Sequence, residues 1–122
     1  MSALGDRAGA VDTLLREYPD LPQPRTVDLR DDTFTVGVRA QLADVAQVVA
    51  WALRFDAPVT VTEKSTYVAV ATVISVYGVD ITAWTTLRHT EAFHLLQRWG
   101  YDLTPEGVSI PAAHAYALSS AP

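Results

Sequence analysis

The sequence predicts a single α+β domain in the order α-ββ-α-βββ-α, with an antiparallel sheet of about five strands and helices packed on at least one of its faces. Three observations carry this. An apolar stripe with three- and four-residue spacing runs from Gln41 to Phe55. Three stretches dense in Val, Ile, Thr and aromatics follow between Val59 and Leu87. Pro, Gly or Asp stands between successive elements.

In chain order, Ala8, Val11, Leu14, Leu15 and Tyr18 share one face of a helix over 6–18. Pro19, Pro22 and Pro24 cannot continue it, so residues 19–25 read as a proline-rich connection to a core over 26–118. Two short strands, 26–30 and 33–39, alternate apolar and polar residues around a turn at Asp31-Asp32, where Asp tolerates left-handed backbone. In the helix over 41–55, Leu42, Val45, Ala46, Val49, Ala52 and Leu53 form the stripe, with Val48, Trp51 and Phe55 widening it, and Pro58 stops it. Strands at 59–62, 67–76 and 79–87 follow, the last two joined at Tyr77-Gly78, a length suited to a two-residue hairpin. Thr90 is the expected N-cap of a helix over 91–99 with Ala92, Phe93, Leu96 and Trp99 inward, and Gly100 is its expected C-cap. A turn at Thr104-Pro105-Glu106-Gly107, a short edge strand at 108–110, an Ala-rich helix over 111–118 and a frayed tail at 119–122 complete the reading.

A chain of 122 residues can bury one sizeable core without staples. It has no cysteine, which removes disulfides, thiolate metal sites and cysteine nucleophiles. Net charge is −5, and the eight arginines and Lys64 are scattered along the chain. Nucleic-acid binding draws its affinity from clustered cations, so no direct nucleic-acid partner is expected. No apolar run near the start resembles a signal peptide, and the stretch 67–79 is too short and too β-branched for a membrane span. A cytoplasmic location without membrane association is the expectation.

Catalytic and cofactor patterns are sparse. Glu91 and His94 have the Glu-x-x-His spacing that places both on one helical face, and His89 lies nearby, making these three the ligand or metal candidates. A carboxylate-bridged site needs matching ligands from other helices, and no second Glu-x-x-His exists; paired solvated neighbours are the simpler reading. No serine sits in a Gly-x-Ser-x-Gly elbow, and Lys64 beside Ser65 lies in a turn that keeps a lysine charged. Asp28, Asp31 and Asp32 lack the calcium-loop pattern, and the isolated glycines form no phosphate cradle. No catalytic residue, metal or cofactor is assigned.

Alternation assigns the faces of the meander. Val68, Val70, Ile74 and Val76 point one way on its middle strand, with Val79, Ile81, Ala83 and Leu87 on the last. The other face carries Tyr67, Ala69, Ala71, Val73, Trp84 and several threonines, less polar than a solvent face should be. Either a terminal helix of the chain or another molecule covers it. Tyr67, Val73 and Trp84 are therefore the interface candidates, since Trp and Tyr are favoured in interface centres.

The run from Trp51 to Thr62, with Tyr67-Val68-Ala69-Val70 and Val79-Asp80-Ile81-Thr82-Ala83-Trp84, resembles small uncharacterised α+β proteins of actinobacteria and their phages. That resemblance spans about residues 14–87 and implies the fold's general plan, an actinobacterial, phage or mobile-element origin, and no activity. The expected function is a non-catalytic protein-interaction module, self-associating as a homodimer or larger homo-oligomer. Two alternatives come from other classes. One is a small-ligand binder or modest enzyme with a pocket between sheet and helix near His89 and His94; the other is an acidic inhibitor that mimics DNA.

Overall fold

The computed structural model describes residues 3–31 and 36–119, with side chains over 9–27 and 39–118. Helix α1 (Ala3–Glu17) leads through the proline-rich connection to the hairpin β1 (Thr26–Asp31) and β2 (Val36–Gln41). Helix α2 (Val45–Arg54) follows, then the strands β3 (Val59–Glu63), β4 (Val68–Val76) and β5 (Val79–Leu87). Helix α3 (His89–Trp99), the short strand β6 (Val108–Ile110) and helix α4 (Ala112–Ser119) complete the chain. The fold is α+β, as the sequence predicts.

The described strands form one six-stranded sheet in the order β1-β2-β5-β4-β3-β6. The sixth is the edge strand at 108–110, which pairs antiparallel with β3. One pair departs from the antiparallel expectation: β2 runs parallel to β5, with Val38 opposite Ile81 and Gln41 opposite Trp84. The cause is topological. Helix α2 carries the chain back across the sheet, so β3 starts from the same end as β2. Two antiparallel reversals then give β5 the direction of β3, and β5 meets β2 in parallel.

The core lies on one side of the sheet. Ala40, Val59, Val61, Val68, Val70, Ile74, Ile81, Ala83 and Ile110 are buried there. Each helix adds to the same cluster: Val11 and Leu14 from α1; Val48, Val49, Trp51 and Ala52 from α2; Ala92, Leu96 and Trp99 from α3; Ala112 and Ala115 from α4. The first helix is thus part of this core, which is not confined to residues 26–118. Trp51 Nε1 donates to Pro22 O at 3.0 Å, which fastens the proline-rich connection to α2. Thr72 points into the core, and its hydroxyl donates to Pro58 O at 3.0 Å, whereas the buried Nε1 of Trp99 has no partner among the described residues.

Several boundaries differ from expectation. Gln41 and Leu42 do not begin α2: Gln41 belongs to β2, and the Asp44 carboxylate accepts from Gln47 N at 3.0 Å as the N-cap. The buried stripe of α2 is accordingly Val48, Val49, Trp51 and Ala52, while Leu53 and Ala46 face solvent. In α3 the N-cap is Arg88 rather than Thr90, because the Glu91 carboxylate reaches back to accept from Arg88 N at 3.1 Å. Phe93, expected inward, is 57% exposed, since the buried stripe runs through Ala92, Leu96 and Trp99. Asp31 lies in β1 opposite Val36 instead of in the turn. Asp32 and residues 33–35 lie outside the described residues, as does the tail at 120–122; the side chains of Asp28 and Asp31 do too. The Tyr77-Gly78 hairpin is as expected, with φ of 53° and 72° at its two central residues, the mirror-image turn that suits strand twist.

Candidate functional site: the open sheet face and a cleft beside α3

The face of the sheet away from the core has no helix on it among the described residues. Neither terminal helix serves as its cover: α1 contributes Val11 and Leu14, and α4 contributes Ala112 and Ala115, to the core on the other side. Strand register lines up one row of this open face across all six strands: Thr26, Gln41, Trp84, Ala71, Thr60 and Ser109. Beside that row lie Arg39, Thr82 and Val73 on one flank, with Thr86, Ala69 and Thr62 on the other. Most of these side chains are short. Asp80, which accepts from the Ser75 hydroxyl, and Glu106, which lies beside Thr60, Thr62 and Ser109, are the acids described on this face, and Arg39 is a base there.

Trp84 is the one large side chain in the row, and it is half-buried. The Arg39 guanidinium carbon sits 4.6 Å from its ring centroid, the geometry of a cation–π contact. Its Nε1 is shut off from water and has no hydrogen-bond partner among the described residues. Directly across the β4–β5 pair stands Ala71, so a bulky residue and a shallow step lie side by side. Val73 is 51% exposed, and Tyr67, in phase with this face just before β4, is 41% exposed. Val73 and Trp84 lie on this face by strand register, and Tyr67 continues its phase ahead of β4.

The ligand candidates do not converge. His89 turns toward the β3–β4 turn, its Nε2 3.0 Å from Lys64 O and 4.0 Å from a Glu63 oxygen. Glu91 turns onto the start of its own helix, accepting from the backbone N and from Nε of Arg88. Those two bonds hold its carboxyl below the usual range. No group of three potential metal ligands occurs among the described residues. His94 and Glu91 do line a cleft of about 380 Å³ between α3 and the start of α2, together with Asp44, Val45, Leu87, Leu95 and Arg98. Only part of this was legible in the sequence. The Glu-x-x-His spacing puts Glu91 and His94 on one side of α3, and Arg98, one turn further along, extends that stripe. Residues 44–46 reach the cleft only through the fold.

Elsewhere, Tyr77 in the β4–β5 turn donates to Glu17 of α1 at 2.6 Å, and that bond to a carboxylate pushes the phenol up to about 12. No helix among the described residues is long and apolar enough to cross a membrane. Compared with known proteins, the chain matches no protein-family model, no curated protein and no solved structure, so any function has to be argued from its own residues.

Proposed function

We propose that this chain is a non-catalytic self-associating module, in which two copies pack their open sheet faces together. One observation carries the reading: a face running across all six strands is surfaced with Ala, Thr, Ser and Val in place of the long charged side chains that normally coat an exposed sheet. Such a face holds water weakly and, apart from Trp84 and Arg39, offers few tall side chains to hold another sheet away.

Three further points favour a second copy as the occupant. The described face carries few charges, Arg39 with Asp80 and Glu106, so two copies can meet there although each carries a net charge of −5. Its relief is self-complementary: about a two-fold axis between β4 and β5, Trp84 of one copy meets the step at Ala69 and Ala71 of the other. Its size suits a weak contact: one row crossing six strands and two flanking rows of three residues, at ~4.8 Å between strands and ~6.8 Å between rows, give a footprint of roughly 400 Å² per copy. A dimer of this size is expected to be weak, dissociating at micromolar concentrations.

Light scattering after gel filtration tests this across a hundredfold range of concentration. The mass should rise toward that of a dimer in the parent chain, and Ala71→Lys or Val73→Lys should return it to a monomer with unchanged circular dichroism. A monomer at every concentration, or a dimer indifferent to both substitutions, defeats the reading.

A further inference from the structure

The geometry points to a second binding site, independent of the open face: the cleft between α3 and the start of α2 takes a small organic acid, its carboxylate held by Arg98 and His94 and its apolar part laid against Val45, Leu87 and Leu95. The cleft lies at the helix-covered side of the sheet, where Leu87 continues the inward-facing series of Ile81, Ala83 and Thr85. Its volume of about 380 Å³ falls within the range of natural ligand clefts.

The charges are unequally engaged. Each acid of the lining has one carboxylate oxygen engaged at a helix start: Asp44 Oδ1 accepts from Gln47 N at 3.0 Å, and Glu91 Oε1 accepts from Arg88 N and from Nε of Arg88, whose guanidinium also pairs its charge. Neither base has such a partner. Among the described residues, Arg98 has no hydrogen bond or ion pair, and His94 has only a tilted ring contact with Phe93 at 6.0 Å. At i and i+4 on α3 they stand on the same side of the helix, facing the same opening. Across the cleft, the amides of Val45 and Ala46 in the first turn of α2 donate to no described residue. Two unengaged cationic or donor side chains, free amides opposite and an apolar wall make a site for an anion with a greasy body. A planar guanidinium favours a carboxylate, which it can meet with two parallel hydrogen bonds.

The test is an amide-resolved NMR titration of the full chain with hexanoate, with hexanol and inorganic phosphate as separate arms. Hexanoate should shift the amides of Val45, Leu95 and Arg98 saturably, binding roughly tenfold tighter than either control because each control lacks one half of the recognition. Arg98→Gln should weaken hexanoate roughly tenfold and His94→Gln by a smaller factor, each with an otherwise parental spectrum. Shifts that do not saturate by tens of millimolar overturn the assignment, as do equal responses to hexanol or phosphate, or indifference to both substitutions. Ala71→Lys should leave this titration untouched, so failure here and failure of the self-association reading are separate results.

Discussion

The two faces of this sheet are built on the same strands, yet they follow different rules. Along β5, Ile81 and Ala83 are buried under the helices while their neighbours Thr82 and Trp84 turn to the open side. On β4, Val70 and Ile74 are buried, whereas Val73 between them is half exposed. On the covered face, side-chain volume is what matters, because four helices must meet the sheet without voids. On the open face, side chains are short and the sheet's own backbone lies close to the surface. In an ordinary two-layer α+β domain the outer face would carry lysines and glutamates. Its plainness here is the chemical difference that separates the two sides, and it is why we assign the open side to a partner copy.

Substitutions at adjacent residues break the comparison most directly. Ile81→Ala should destabilise the chain by about 2–5 kcal/mol in denaturant unfolding, since it leaves a cavity beneath the helices. Its neighbour Thr82→Ala should cost less than about 1 kcal/mol, as expected for a partly exposed site without a buried void. Equal losses at the two positions would show that the open face is packed as tightly as the core.

Next in size is Trp84→Ala, which removes the ring under Arg39. A loss of about 1–2 kcal/mol is expected in the monomer, combining partial burial and the cation–π contact, offset by removal of an unpaired indole N–H. Measured in the Ala71→Lys background, this value reports on the monomer alone. A loss as large as that of Ile81→Ala would place Trp84 in the core.

The smallest effect concerns the joint between sheet and helix layer. Because the Tyr77 phenol is raised to about 12 in the folded chain against an ordinary value of 10, its contribution is fully present below pH 10 and disappears as pH rises through 12. Tyr77→Phe should therefore be slightly less stable than the parent at neutral pH, with the difference vanishing above that window. Denaturant midpoints of the two chains compared between pH 8 and pH 12 check this. A difference that persists at pH 12 would mean that packing of the ring, rather than its bond to Glu17, is what matters.

Much of this arrangement was readable in the residues. β4 and β5 are legible because β-branched alternation fixes both their extent and their facing, which by itself puts Val73 and Trp84 on the second side. Helix α2 was legible in type but not in its start. Gln41 and Leu42 continue the helical spacing, but Gln41 is claimed by pairing with Thr26 and Trp84, long-range partners that no local pattern reveals. Phe93 is apolar at a position that helical phase makes ambiguous, and the three-way packing of Ala92, Leu96 and Trp99 turned it outward. His89 and His94 are five residues apart, a separation that points them to different sides of a helix, so nearness in sequence overstated their kinship.

By itself, the sequence determined the elements, the inward set of each meander strand and the unusually plain second face, because side-chain period and turn chemistry are local properties. Tertiary structure alone decided that β2 joins β5 in parallel, that the four described helices share one core, and that the start of α2 meets Arg98 and His94 across a cleft. These depend on which surfaces bury one another, and that choice is made between segments tens of residues apart, where no local preference reaches.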